Sequence, residues 1–295
     1  PPDVTARSYP SVDGSTSTLP LQMLIACHLL DVPCDWHESM FLEMTRGIGP
    51  GLNYKGPQEL WERLTQIRHS GTHGSYVKLI EGEADFILVA RLPSEDELQA
   101  ARGKGVVLDA IAVALDAFVF LVHVDKEVEA LDLETLRGIY TGDITRWADA
   151  MAGAGQQDAT QEIHPYQRNR NSGSQELMEK LVMQGLPMVD APNMLLESMI
   201  GPINAIGNDP LGIGYSVYFY ATYINPGENI KLIGVDGVTP TSETIAGRSY
   251  PLTTEVYAVI REGMPQTSRV VQLRDWLLAS GGQAVVEESG YVPVW

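Results

Sequence analysis

Short apolar runs alternate with amphipathic stretches along the chain, and this pattern predicts an α/β protein. Runs rich in β-branched and aromatic residues predict buried strands at Ala84–Ala90, Phe118–Val124 and Glu255–Ile260. Apolar residues at helical spacing predict helices at Leu21–Leu30, Leu133–Tyr140 and Arg269–Ala279. A stretch rich in Gly, Ala and Gln predicts a surface loop at residues 152–160.

Three segments share a second pattern, in which Gly and hydroxyl residues lead directly into an amphipathic helix. They are the first segment, Asp13–Thr18, the second segment, Gly71–Ser75, and the third segment, Asn171–Ser174. The first N–H groups of a helix have no intrahelical partner, and the helix dipole adds partial positive charge there. Because Gly allows close approach and hydroxyls add donors, three such ends predict an oxyanion site. Capping alone is the alternative for any single segment, since Ser and Thr are common N-caps.

An arginine lies shortly before the third segment in the chain. Arg168 lies four residues before Ser172, and a guanidinium can bind two oxygens of a phosphate-like anion at once. Arg170 is a competing candidate, and two solvated surface arginines are the other interpretation.

The overall charge excludes several classes of partner. The net charge is -18, with 38 acidic against 20 basic residues. Such a chain does not bind nucleic acid through a general basic field, and an anionic membrane surface does not attract it. Helix ends can still hold an anion locally. The length of 295 residues, 44% of them hydrophobic, suits one large or two modest packed domains.

Sequence signatures of enzymes and metal sites are absent. The chain has no Gly-x-Ser-x-Gly elbow, phosphate-binding P-loop, dinucleotide fingerprint or zinc spacing. We therefore expect no catalytic activity, cofactor or metal. His73 lies beside Thr72 and near Ser75, which keeps a phosphate-ester hydrolase as the weakest alternative.

Two features of the chain leave alternatives open. Cys27 and Cys34 flank the end of a predicted helix, so they can be bridged or separate. The sequence starts at Pro1 without Met, which is consistent either with a trimmed cytoplasmic protein or with a removed signal segment.

The motifs together resemble the phosphate-binding protein family of phosphate ABC transporters, which has the type II periplasmic-binding fold. The most specific stretch is Leu133–Trp147, which ends in Tyr-x-Gly-x-Ile-x-x-Trp. The next is Arg168-x-x-x-Ser172-Gly173-Ser174, similar to the family's anion loop. The resemblance runs from Asp13 to Pro293 and also includes Gly212–Ser216 and Tyr250–Thr254.

The resemblance implies an architecture and a function. It implies two α/β domains, residues 1–118 with 254–295 and residues 119–253, joined by crossing strands and closing on the ligand like a hinge. The implied protein is an extracytoplasmic solute-binding protein of an ABC importer that binds phosphate or a related oxyanion. Its partner would be the permease, its signal segment would have been removed, and it would be a periplasmic or lipid-anchored monomer. A ligand-sensing module of the same fold is the alternative, for another oxyanion or a phosphorylated metabolite.

The resemblance also implies which residues touch the anion, with one departure from the family. The implied ligand-binding residues are Ser15, Thr16, Ser17, Thr18, Thr72, Ser75, Arg168, Ser172, Gly173 and Ser174, and we add Arg91 as a candidate. The family carries an Asp that accepts the proton of hydrogen phosphate, and Arg91 stands at its position. An arginine has no acceptor. Arg91 either turns away and pairs with Glu95, or it faces the anion as a second guanidinium, which would suit a more highly charged ligand.

Overall fold

The computed structural model describes residues 2–38, 44–51, 54–151 and 161–295. The loop expected at residues 152–160 lies outside them. The chain divides into two compact units: unit 1 is Pro1–Asp116 with Thr254–Trp295, and unit 2 is Ala117–Thr253. The expected first boundary, after residue 118, lies slightly later in the chain. Among the described residues, no helix has the length and apolarity needed to span a membrane.

The strands and helices alternate through most of the described chain. The strands are β1 (Val12–Gly14), β2 (Cys34–Glu38), β3 (Arg46–Pro50), β4 (Phe86–Val89), β5 (Leu108–His123), β6 (Ala130–Leu131), β7 (His164–Pro165), β8 (Gln167–Arg168), β9 (Leu195–Leu196), β10 (Gly212–Val217), β11 (Ile230–Val235) and β12 (Thr253–Arg261). The α-helices are α1 (Leu19–Leu29), α2 (Gln58–Thr65), α3 (Gly71–Glu81), α4 (Glu95–Gly103), α5 (Leu133–Thr141), α6 (Trp147–Ala150), α7 (Gly173–Leu177), α8 (Gly201–Gly207), α9 (Ser242–Ala246), α10 (Arg269–Leu277) and α11 (Ser280–Ser289).

The sheet of unit 1 brings two strand ends to one edge. Strand β1 pairs in parallel with β4, and β4 pairs antiparallel with β12. All four residues of β4 are buried apolar side chains, and α3 covers them through Tyr76 and Leu79. Because β1 and β4 are parallel neighbours, the segments that follow them leave the sheet at the same edge. In open α/β sheets this carboxyl edge is where ligands bind.

In unit 2, β5 is the central strand. From Phe118 to His123 it pairs antiparallel with β10 on one side and with β11 on the other. These β5 residues are buried, which explains their nearly continuous apolar sequence. A separate parallel pair, β8 with β9, aligns Arg168 with Leu196. This small pair positions the arginine that the sequence singled out.

Several boundaries differ from the expected ones. Helix α5, expected to end at Tyr140, ends one residue later at Thr141, where Gly142 follows it with a left-handed φ of 85°. Strand β5 begins at Leu108, well before the expected Phe118. Residues 108–117 alternate small alanines with larger residues, and alanine is a poor strand former, so the propensity pattern does not reveal this half of the strand.

A disulfide joins α1 to β2. Cys27 and Cys34 are bonded, with Cα atoms 6.1 Å apart. This contact resolves the alternative that the sequence left open. The bond ties the C-terminal end of α1 to the β2–β3 hairpin, while the N-terminal end of the same helix carries the first segment.

Reducing this disulfide is expected to lower the free energy of unfolding by about 2–3 kcal/mol, because cross-linking a short loop restricts the unfolded chain. The cysteines are seven residues apart. Urea unfolding with and without reductant measures the difference. In the control variant Cys27→Ser with Cys34→Ser, reductant should have no further effect. Equal midpoints for the oxidised and fully reduced wild type would contradict the prediction.

Candidate anion-binding site

The first segment packs tightly against β4. Strand β1 ends at Gly14, and Thr16–Thr18 form a single 3₁₀ turn that leads into α1. The backbone N–H of Ser15 donates to the Leu88 carbonyl (2.9 Å), and the Thr18 hydroxyl donates to the same carbonyl (2.7 Å). A Cβ at Gly14 would lie 2.4 Å from the Leu88 oxygen, so only glycine fits there. The Thr18 hydroxyl therefore holds the segment on the sheet.

The other hydroxyls of the first segment have different surroundings. Ser15 Oγ lies 2.8 Å from Thr72 Oγ1, and Thr16 Oγ1 lies 3.2 Å from His69 Nδ1. Ser17 is 1% exposed, and its hydroxyl has no hydrogen-bond partner among the described residues. An unsatisfied buried hydroxyl costs about 1–3 kcal/mol. Ser17 is therefore the side chain of the first segment whose hydrogen-bonding capacity remains open.

A buried carboxylate that sequence reasoning missed fastens the first segment to α3. Asp13 is 3% exposed and accepts hydrogen bonds from the backbone N–H groups of Gly14 (2.7 Å) and Ser70 (2.8 Å). It also accepts from the Ser70 hydroxyl (2.9 Å), the Ser75 hydroxyl (2.9 Å) and the Lys78 ammonium (2.7 Å). The available sequence signal is an Asp directly before a Gly-Ser pair, which by itself does not distinguish a buried carboxylate from an exposed one.

The second segment is the first turn of a helix rather than a loop. Helix α3 begins at Gly71, which has a φ of 73°, and Ser70 occupies the N-cap position. Because Asp13 accepts from Ser70, the helix starts earlier than the apolar pattern indicated. Thr72 thereby reaches Ser15. Ser75 is fully buried, and its hydroxyl donates to Asp13 and to the Gly71 carbonyl (2.7 Å), so its role as a ligand stays a prediction.

Arg91 is held by Glu97. Its Nη1 and Nη2 donate to the two carboxylate oxygens at 2.8 and 2.9 Å. The two residues are 6% and 1% exposed, and the guanidinium also lies over the Tyr76 ring at 5.5 Å. The expected pairing with Glu95 is wrong, because Glu95 bonds Arg102 instead. Glu97 is the third residue of α4, where its capping box with Ser94 directs the carboxylate inward.

Glu97 is ionised and accepts further hydrogen bonds. Burial raises the pKa of Glu97, but the hydrogen bonds and positive charge of Arg91 outweigh it, so that the net pKa is lowered. The carboxylate also accepts from the Ser94 N–H (2.8 Å) and lies 3.0 Å from His73 Nδ1. The Arg91 charge is therefore balanced within unit 1.

In unit 2, Arg168 is buried among backbone carbonyls. It is 6% exposed. Its Nε donates to the Leu196 carbonyl (3.1 Å) and its Nη2 to the Glu197 carbonyl (3.0 Å). Its Nη1 lies 3.4 Å from the hydroxyl of Ser174. Arg170, the competing candidate, is exposed. Burial distinguishes the two arginines in a way that sequence did not.

The rest of the third segment forms the start of α7. Ser172 is the N-cap, and its hydroxyl accepts from the Gln175 N–H at 3.1 Å. Gly173 and Ser174 are the first two residues of the helix. The axis continues through the π-helical stretch Met178–Met183. In unit 2, Arg168 thus lies beside Ser174, and Ser172 and Gly173 belong to the same helix start; their role as ligands stays a prediction.

Known proteins resemble this chain in sequence. A family model described as a PBP superfamily domain matches residues 63–280. The chain belongs to the PBP superfamily. It is 24% identical over 246 residues to the Phosphate-binding protein PstS of Staphylococcus aureus strain USA300, covering 82% of this chain and 73% of the relative.

Solved structures resemble this PBP-superfamily chain over nearly all of its length. One from Clostridium perfringens, described as a phosphate ABC transporter substrate-binding protein with bound phosphate, has a TM-score of 0.65 and 21% identity. It covers 97% of this chain and 99% of its own. An ABC-type phosphate transport receptor from Vibrio cholerae has a TM-score of 0.63 and 20% identity, covering 96% and 99%. The expected fold class, an α/β protein of type II periplasmic-binding architecture, is confirmed.

Two residues of this superfamily member hold the backbone of Arg168 in place. The sequence analysis did not predict either of them. The Arg168 N–H donates to the Tyr215 hydroxyl (3.0 Å) and to Gln175 Oε1 (3.2 Å). Tyr215 in turn donates to Gln175, and burial raises the pKa of its hydroxyl, which stays protonated. Tyr215 lies in the stretch Gly212–Ser216 and Gln175 directly follows the Arg168–Ser174 motif, but their pairing across 40 positions depends on the fold. Among the described residues, no cluster of His, Cys, Asp or Glu is arranged to hold a metal ion.

Proposed function

We propose that this protein is the solute-binding component of an ABC importer and that its ligand is phosphate. The observation that carries the proposal is the Ser17 hydroxyl, in the 3₁₀ turn that leads into α1, which is buried and has no partner among the described residues. A tetrahedral oxyanion at this helix end would supply the missing acceptor. Relatives named as phosphate-binding proteins support the choice of ligand.

Within unit 2, the contacts of Arg168 also suit a phosphate-like ligand. Three neutral oxygens, from Leu196, Glu197 and Ser174, fix the plane of its guanidinium. A planar guanidinium held in one orientation is suited to bidentate binding of a phosphate-like anion. We infer that Arg168, Ser172 and Ser174 contact the anion.

The proposal also covers the location of the protein, its partner and its oligomeric state. An ABC importer's binding protein works outside the cytoplasm and delivers its ligand to a membrane permease. We therefore propose an extracytoplasmic location, a removed signal segment, a permease partner and a monomeric state, with a lipid anchor as one form of attachment. The net charge of -18 does not oppose anion binding, since helix ends and Arg168 act locally. The protein acts by binding rather than catalysis.

Ser17→Ala is expected to weaken phosphate binding by about 1.5–3 kcal/mol, the usual contribution of a hydrogen bond to a charged group. The measurement is isothermal titration of ligand-stripped protein with phosphate. The unliganded variant should unfold at the same or slightly higher urea concentration, because the hydroxyl makes no bond in the protein alone. A variant that keeps full affinity would show that Ser17 is merely buried, and wild type without phosphate affinity would overturn the proposed function.

A further inference from the structure

In unit 1, the Ser15 hydroxyl of the first segment belongs to a closed ring of contacts and chain neighbours. Ser15 Oγ lies 2.8 Å from Thr72 Oγ1 and also accepts from the Ala90 N–H at 3.1 Å. Arg91 follows Ala90, and His73 follows Thr72. These two neighbours meet on one carboxylate, that of Glu97, which closes the ring. The charged residues Arg91 and Glu97 are therefore linked through neighbouring residues of the chain to the Ser15–Thr72 hydroxyl pair.

The carboxylates closest to these hydroxyls in the contact network have no spare acceptor capacity for a ligand. Asp13 accepts five hydrogen bonds, from Gly14, Ser70 twice, Ser75 and Lys78. Glu97 is engaged by both Nη atoms of Arg91, by the Ser94 N–H and by His73. Two carboxylate oxygens offer about four lone-pair sites. Accepting a further proton from a bound anion would disrupt these bonds.

A third buried carboxylate of unit 1, Asp116, lies near enough to Tyr291 for its charge to act on that hydroxyl. Burial and then the nearby Asp116 charge raise the pKa of Tyr291. The hydroxyl of Tyr291 donates to the Ser17 carbonyl at 3.1 Å. This contact is with the backbone of the segment and not with its hydroxyl side chains.

Hydroxyl groups differ from carboxylates in what they can offer a ligand. An ionised carboxylate only accepts, so it favours an anion that still carries a proton and repels one that does not. A serine or threonine hydroxyl rotates to donate or to accept. The Ser15–Thr72 contact itself permits either direction. Hydroxyls at Ser15, Ser17 and Thr72 would thus meet a protonated or a bare oxygen equally well.

We propose that this site does not discriminate by protonation state and takes fully ionised tetrahedral oxyanions, with sulfate as the probe, alongside hydrogen phosphate. The inference rests on the proposed function and narrows it to a ligand class. Glu97 balances the Arg91 charge, and its own acceptor sites are occupied by Arg91, Ser94 and His73.

Parallel calorimetric titrations of stripped wild-type protein with phosphate and sulfate, at mildly alkaline pH, test the inference. We expect the two dissociation constants to agree within about tenfold, since each ligand can satisfy the hydroxyls. Phosphate binding with sulfate weaker by more than about a hundredfold would overturn the inference and leave the proposed function standing, because like-charge repulsion has that size. Absence of binding to either ligand would overturn both.

A matched pair of variants tests the hydroxyl set directly. Thr72→Asp places an acceptor-only group beside Ser15, whereas Thr72→Asn has the same shape and keeps donor and acceptor atoms. Acidic residues are favourable in the first turn of a helix, so the Asp variant is expected to fold. Relative to Thr72→Asn, Thr72→Asp should lose at least about tenfold more affinity for sulfate than for phosphate. Equal losses for the two anions would exclude Thr72 from the site and overturn the inference.

Discussion

Replacing Arg168 with alanine is expected to weaken phosphate binding by about 2–5 kcal/mol, the cost of removing one partner of a buried hydrogen-bonded charge pair. This corresponds to a roughly 30- to several-thousand-fold higher dissociation constant. The side chain is buried and its plane is fixed by the carbonyls of Leu196 and Glu197, so its removal takes away a preoriented charged donor. Isothermal titration of the stripped variant with phosphate measures the loss.

Arg170→Ala is the matched control for this variant. It removes the same charge two residues away, but Arg170 is exposed. Long-range electrostatics should change its affinity only slightly at physiological salt. Comparable losses in both variants would indicate a general charge effect. An Arg168→Ala protein with wild-type affinity would exclude Arg168 from the site.

Replacing Arg91 with methionine is expected to lower the free energy of unfolding by about 3–5 kcal/mol, because it leaves the Glu97 carboxylate buried without its charge partner. Glu97 is 1% exposed, and two of its hydrogen bonds come from Arg91. Urea unfolding of the unliganded protein, followed by tryptophan fluorescence and circular dichroism, measures the change. Two coincident probes are needed because two units can unfold separately.

The double variant Arg91→Met with Glu97→Leu separates the pair from its surroundings. Removing both charges is expected to recover most of the loss, leaving about 1 kcal/mol for the capping bond of Ser94 that Glu97 also makes. A double variant as unstable as Arg91→Met alone would mean that packing against Tyr76, not charge balance, is what Arg91 contributes. Glu95→Gln, on the exposed side of α4, is expected to change stability by less than about 1 kcal/mol.

Local sequence patterns predicted those strands and helices in which the side-chain types themselves favour the structure that forms. The buried strand β4 and the helix α5 are readable from sequence because each follows from the type and spacing of its side chains. The half of β5 that begins at Leu108 was not readable. Its alanines do not favour a strand by themselves, and only pairing within a sheet makes them one.

The residues of the candidate site also divide into those that the sequence predicts and those that it does not. Arg168, Ser172 and Ser174 are close in the chain, so a short motif was enough to indicate that they act together. Asp13 was missed because its partners Ser70, Ser75 and Lys78 lie more than fifty residues away. A carboxylate at the end of a strand looks the same in sequence whether it faces water or five donors.

Sequence alone therefore determined the fold class, the three hydroxyl segments and the arginine beside the third, since these are properties of neighbouring residues. The tertiary structure decided which hydroxyls have capacity left. It engaged Thr18 with the Leu88 carbonyl and Ser75 with Asp13, and it left Ser17 without a partner among the described residues. It also decided that Arg91 is balanced by Glu97 rather than Glu95. The physical reason is that hydrogen bonding and charge balance are satisfied by distant groups that the packed sheet and helices bring together, and local sequence does not encode their distances.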